Sequence, residues 1–338
     1  MNALNVALPL GSSLLSFVFA ALVLDQWWQR RHSFQLVWAI GLLWYGIAAG
    51  TEFLGSAFGW REPLYRAWYL FGALFVPPYL GLGTIYLLAK TRFGYFAGVT
   101  VIIGGGLSLL FSKVYAGSTT TAMVVFAIAL AGGIAIIVAT AVRRPLAAHI
   151  AAAVLVLGSI LGAYVVLTAP LAAPGWAVDP HTHVPVGSAF PGYVRVITPP
   201  DNISGALILV FGALYSAYVY MPKRRVLPAR LGVLAIVPNF LASLPSAAVA
   251  LVGGKLNSRV PATILIAVGA FIPGLTSGLD RFGVTWSFFL GEFFGLLLIF
   301  LGFLVSEEVF RNVRLGATLW SRRSEELVDP RGVEPLTF

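Results

Sequence analysis

Three groups of polar residues stand out from an otherwise apolar chain. Asp179, His181 and His183 occupy alternate positions of one stretch. In an extended segment alternate side chains face the same way, so both imidazoles and the carboxylate could converge on Zn²⁺ or Cu²⁺. No fourth ligand accompanies them, and histidine in a Pro-rich loop is also an ordinary solvated residue. Glu292, in Gly291-Glu292-Phe293-Phe294-Gly295, and Glu52, in Thr51-Glu52-Phe53, are the acids placed deepest in apolar runs. A carboxylate within a membrane is costly and faces a cavity or a partner, which makes each a candidate ligand contact. Both also stand near a helix end, within reach of the lipid headgroups. The interface is the expectation for Glu52, and for Glu292 both readings stand. Arg66 and Arg195 each precede an apolar helix on the same side of the bilayer. There they could bind an anionic ligand, with lipid phosphate or carboxylates such as Asp201 as the more ordinary partners.

The remaining chemistry is thin. The chain contains no cysteine, which removes disulfides, thiolate metal sites and cysteine nucleophiles together. His149 is the one histidine inside an apolar run, so a haem held by two imidazoles finds no second ligand at depth. Hydrogen bonding to a neighbouring helix, or wetting near the headgroups, is the expectation for it. No nucleotide, hydrolase or metalloprotease fingerprint occurs in its required context. No acid, base and nucleophile set can be assembled from spacing, so neither an enzyme nor a bound cofactor is expected.

These residues must be positioned by membrane helices. Of 338 residues, 59% are hydrophobic and 10% charged, against roughly a quarter charged in soluble domains. The formal charge of +9 comes from Lys and Arg lying between apolar runs, where they set orientation and meet anionic lipid headgroups. Nucleic-acid binding is not expected, because no basic helix face or aromatic RNA motif accompanies the charge. The first 24 residues hold no Lys or Arg, so the first run lacks a signal peptide's basic start and is expected to stay as a helix.

The runs Ala7–Leu24, Phe34–Phe58, Leu64–Ala89, Phe93–Phe111, Thr120–Val142, Leu146–Leu171 and Ile203–Tyr220 predict seven crossings. Pro77 and Pro78 predict a kink in the third. The glycines of the fourth and fifth runs place both inside the bundle. One turnaround side carries Arg30, Arg31, Lys90, Arg92, Arg143, Arg144, Lys223, Arg224, Arg225 and Arg230. The other carries Arg61, Arg66, Lys113 and Arg195. The positive-inside rule then puts the N-terminus outside, the polar loop 173–202 outside and the C-terminus in the cytoplasm of a multi-pass cell-membrane protein. Trp27, Trp28, Trp60, Trp68 and Trp176 read as interfacial belts.

Beyond Arg230 the runs are Leu231–Val252, Val260–Leu279 and Thr285–Val305. Pro238 and Pro245 mark 231–252 as a broken or re-entrant segment, giving nine crossings, with ten as the alternative. The fold class is therefore all-α, a polytopic helical bundle over 1–305 with a charged tail, 306–338. Phe71-Gly72-Ala73-Leu74 recurs as Phe211-Gly212-Ala213-Leu214, which suggests a parallel 3+1+3 repeat in the first seven helices, with chance as the competing account. Two functions follow. One is a small-solute carrier or ligand-binding membrane protein with its site between the repeats. The other is a non-catalytic accessory subunit or sensor that meets a membrane partner through loop 173–202.

Overall fold

The computed structural model describes residues 3–172, 178–179, 184–228, 233–253, 255–281, 284 and 286–305. Ten helices carry nearly all of them. They are α1 (Ala3–Arg30), α2 (Ser33–Phe58), α3 (Glu62–Leu87), α4 (Phe93–Phe111) and α5 (Thr119–Val142), followed by α6 (Arg144–Thr168), α7 (Thr198–Tyr220), α8 (Val233–Val252), α9 (Arg259–Arg281) and α10 (Phe288–Val305). All except α8 are among the nine described helices long and apolar enough to cross a membrane. Helices suit that solvent because every backbone polar group is satisfied within its own segment.

Helix α7 is the centre of the bundle, packed against α3, α4 and α9. Helices α1, α2 and α10 flank one side, and α5 and α6 the other. Close approach depends on glycine. A Cβ on Gly205 of α7 would stand 2.4 Å from the carbonyl carbon of Pro77 in α3. No side chain fits there, and Gly81 of α3 lies against the Gly205 backbone in turn, so glycine on both helices lets these two backbones meet. Helix α5 uses its two glycines against two neighbours, Gly132 lying against Val154 of α6. Gly133 lies against Gly98 and Ile102 of α4, while Met123, Val124, Ile128, Ile134 and Val138 face outward. The inside position expected for both glycine-rich helices thus holds for α4 and not for α5, because the remaining faces of α5 carry large apolar side chains that stay exposed.

Helix α8 also departs from expectation. It runs unbroken through Pro238 and Pro245. The Asn239 amide oxygen accepts from the backbone N–H of Val226 and Leu227, and Asn239 Nδ2 donates to the Leu227 carbonyl at 3.0 Å. Ser243 Oγ accepts from Arg224 N at 2.9 Å. These bonds hold α8 against the segment that follows α7. Arg259, which opens α9, donates to the Tyr220 hydroxyl at the end of α7. The chain thus enters α8 and leaves it at one face, and α9 returns antiparallel to α7. Nine crossings result among the described residues, and α10 ends on the same face as α1 and α7. That face carries the Arg-Arg and Lys-Arg-Arg turnarounds and is called the basic face below. The opposite one is the loop face.

The two Phe-Gly-Ala-Leu segments have different local structure. Phe71–Leu74 lies inside the π-helical stretch Tyr69–Phe75 of α3, whereas Phe211–Leu214 lies in regular α7. The expected kink at Pro77 and Pro78 takes this form, a widened turn immediately before the prolines. Proline lacks the N–H that would bond the preceding turn, so carbonyls there go unclaimed. Asn202 Nδ2 of α7 donates to one of them, the Ala73 oxygen, at 3.0 Å.

Candidate functional site

The motif Gly291-Glu292-Phe293-Phe294-Gly295 spans the end of the first turn and the second turn of α10. Its two glycines are one turn apart and make a flat face against α9, where a Cβ on Gly291 would meet Thr276 Oγ1 at 2.2 Å and one on Gly295 would meet Pro273 Cγ at 2.4 Å. Phe293 turns toward α1 and lies against Gly11. Glu292 is thereby directed to α2 and α3. The Tyr45 hydroxyl of α2 donates to the Glu292 carbonyl oxygen at 2.9 Å and pins this turn in place.

Glu52 comes to the same point from α2. It is 1% exposed, which corrects the expectation of an interfacial carboxylate. Trp68 Nε1 donates to Glu52 Oε1 at 2.9 Å. The other oxygen, Oε2, has no hydrogen-bond partner, and the Glu292 carboxyl is near enough to act on Glu52 electrostatically. The two acids, 240 positions apart in sequence, form a pair. Sequence spacing holds no record of this, since contact between α2 and α10 depends on α1 packing against both.

Above the pair lies a cavity of about 340 Å³. Glu292 reaches it from below, and Arg195, Asn202, Asp179 and Tyr115 reach it from α7, the loop and the end of α4. Ser277 of α9 and Trp68 of α3 complete the polar wall. The Arg195 guanidinium stacks over the Tyr115 ring at 4.1 Å from its centroid, which holds its charge at the mouth. The roof is the loop segment 184–197, fastened by Tyr65. The Tyr65 hydroxyl donates to the Val186 carbonyl at 2.5 Å and accepts from Ala189 N at 3.4 Å. Tyr65 stacked on Phe190, with Tyr69 tilted against the same ring, seals one side.

The other candidates fall elsewhere. Arg66 pairs with Glu62 at 2.7 Å and donates to the Val166 and Ala169 carbonyls at 2.6 and 2.8 Å. It closes the end of α6, where carbonyls lack helical partners, and is not among the residues lining the cavity. Asp201 is no loop carboxylate. It sits in the first turn of α7 beside Gly158, on the wall of a separate apolar cavity of about 170 Å³. His181 and His183 lie outside the described residues. Among the described residues, no three of His, Asp and Glu form a group that could hold a metal ion. His149 meets its expected neighbour, with Nδ1 3.2 Å from the Tyr86 hydroxyl of α3.

Two tryptophans read as belt residues prove to be core. Trp60 and Trp68 are each 8% exposed, in a cluster with Tyr65, Tyr69, Phe190 and Phe288. Gly55 admits the Trp60 ring, since a Cβ there would stand 2.4 Å from Cε2. Trp28, by contrast, is exposed as a belt residue should be. The sequence reading passed over Asn202, Tyr115 and Tyr45. Asn202 had one available signal, an amide in the first turns of the helix that carries the second Phe-Gly-Ala-Leu and faces Pro77 and Pro78.

The fold and site together define a polytopic membrane bundle with a roofed polar cavity above a buried carboxyl pair. Comparison with protein-family models, with curated proteins and with solved structures finds no match.

Proposed function

We propose that this chain is a small-solute carrier or ligand-binding membrane protein, and that its solute occupies the loop-face cavity. The observation that carries this reading is the convergence of Glu292, Arg195 and Asn202 on one cavity, with Glu52 behind Glu292. Carboxylates at one depth and a guanidinium at the mouth suit a small solute bearing an amino group, an amino acid or a small amine. Two carboxylates in contact repel by about 4 kcal/mol even at an effective dielectric of 20. One proton held between them removes the repulsion, and an entering ammonium does the same.

The site lies between the two helices that carry the Phe-Gly-Ala-Leu segments and the final pair, α9 and α10. Carriers commonly bind solute at such a junction, beside interrupted helices, and the π-helical stretch of α3 is one. The accessory or sensor reading draws on the loop as a docking surface. Across 184–197, only Ser188 is exposed, so this stretch offers its side chains to the cavity below more than to a partner above.

The test is uptake of labelled amino acids and small amines into reconstituted vesicles. Native protein should carry at least one of them, and Glu292→Gln should lower uptake about tenfold or more, as expected when a buried charge partner is lost. Uptake no faster than into protein-free vesicles across the panel, or an unchanged rate in both Glu292→Gln and Glu52→Gln, would remove the proposal.

A further inference from the structure

Thr198-Pro199-Pro200-Asp201 opens α7 with two residues that have no N–H to offer. A carboxylate in the first turn of a helix ordinarily accepts from the free N–H groups of that turn. The prolines remove two of those donors, and the start of α7 carries no side-chain cap. Opposite Asp201 is Gly158 of α6. Outside its own helix backbone, a Cβ there would meet nothing nearer than Asp201 Oδ1 and Oδ2, at 3.9 and 4.0 Å. Among the described residues no hydrogen-bond donor or cation reaches this carboxyl.

The carboxyl stands on the wall of the cavity of about 170 Å³ between α3, α4, α5, α6 and α7. Ser204, the other polar side chain of the described lining, gives its hydroxyl to the Pro200 carbonyl. The inner wall is formed by Leu82, Ile136, Leu155 and Ile208, all buried. At the outer lip Ile128 of α5 and Leu161 of α6 are 52% and 57% exposed, which opens the cavity between these helices toward the acyl chains. A carboxylate so placed is costly without a cationic partner. Calcium and magnesium call for about six oxygen ligands, and these walls do not supply them. An ammonium on a hydrocarbon body satisfies carboxyl and wall together. An apolar cavity of about 150 Å³ takes benzene, so the space suits a body the size of one six-membered ring.

We infer that this cavity is a binding site for a hydrophobic amine drawn from the bilayer, its ammonium on Asp201 and its hydrocarbon against the apolar wall. The site goes beyond the carrier reading and does not depend on it. Asp201 lines this cavity and the adjacent Asn202 lines the solute cavity, and the two linings have no residue in common.

The experiment places the full chain in phosphatidylcholine nanodiscs and measures equilibrium binding of tritiated cyclohexylmethylamine, with cyclohexylmethanol as an uncharged competitor of the same shape. Empty nanodiscs set the background. Native protein should bind the amine about tenfold or more tightly than the alcohol, as expected when a charged pair replaces a neutral hydrogen bond away from water. Asp201→Asn should remove that preference, and Glu292→Gln should keep it. No saturable binding, or equal affinity for amine and alcohol in native protein, overturns the site, and so does an undiminished preference in Asp201→Asn. Preference lost in Glu292→Gln and kept in Asp201→Asn moves the amine to the solute cavity, which overturns this inference and leaves the carrier reading standing. Should Asp201→Asn fail to fold, Gly158→Val serves, since it keeps the carboxyl and fills the space in front of it. Amine affinity lowered about tenfold or more there supports the site, and unchanged affinity overturns it.

Discussion

Trp68 gives its indole hydrogen to Glu52, a carboxyl that is 1% exposed. Trp68→Phe keeps a large aromatic ring in place and deletes only the donor. It should lower stability by about 1–3 kcal/mol, the cost of an orphaned buried acceptor, read as a fall in melting temperature in detergent. Glu52→Gln keeps an acceptor for the indole and should be milder than Glu52→Ala, which strands it; the reverse order in thermal melts would contradict the bonding described. Both acids were legible as candidates because carboxylates are rare in apolar runs. Their pairing was not, since nothing in the neighbourhood of either residue names the other. Arg66 shows the converse. Its position beside an outer loop suggested a ligand, and the carbonyls of Val166 and Ala169, which it holds instead, come from a helix end about a hundred residues away.

Among elements, α3 owes its shape to two prolines and one borrowed amide. Asn202→Ala should cost about 1 kcal/mol by removing the donor to the Ala73 carbonyl. In a Pro77→Ala background, where a backbone N–H can again close the turn, the same change should cost measurably less. A double-mutant cycle on thermal stability reads this coupling, and strict additivity would mean that the amide does not stand in for the missing N–H. The α9–α10 pair depends on the absence of side chains. Gly295→Val would drive methyl groups into Pro273 and the Gly269 carbonyl, 2.4 and 2.7 Å from the position of a Cβ. Overpacking of this kind costs about 1–3 kcal/mol. Because it tilts α10, it should also weaken solute binding without touching the cavity, a loss visible as lower uptake by folded protein.

For the whole molecule, sidedness is the sharpest prediction. The chain has no native cysteine, so single cysteines report without background. Ser188→Cys should be labelled by an impermeant maleimide from one side of sealed vesicles. Lys223→Cys and Asn257→Cys should be labelled only from the other, because α8 returns to the face it left. Asn257 and Ser188 labelled from the same side would restore a tenth crossing. The sequence by itself determined the solvent, the nine apolar rods and the segregation of basic residues to alternate turnarounds. Those depend on composition and on the length needed to cross hydrocarbon, both local properties. It also marked Glu52, Glu292 and Arg195 as candidate ligand contacts, with the lipid interface as the expectation for Glu52 and lipid phosphate as the more ordinary partner of Arg195. Only the tertiary structure decided that α8 begins and ends at one face, that Trp60 and Trp68 are core and not belt, and that Glu52 meets Glu292 beneath a roofed cavity. In lipid, apolar surface exerts no preference among neighbouring helices. Their arrangement follows from where glycines permit contact and where polar groups find partners, and those are relations between distant segments that no window of sequence contains.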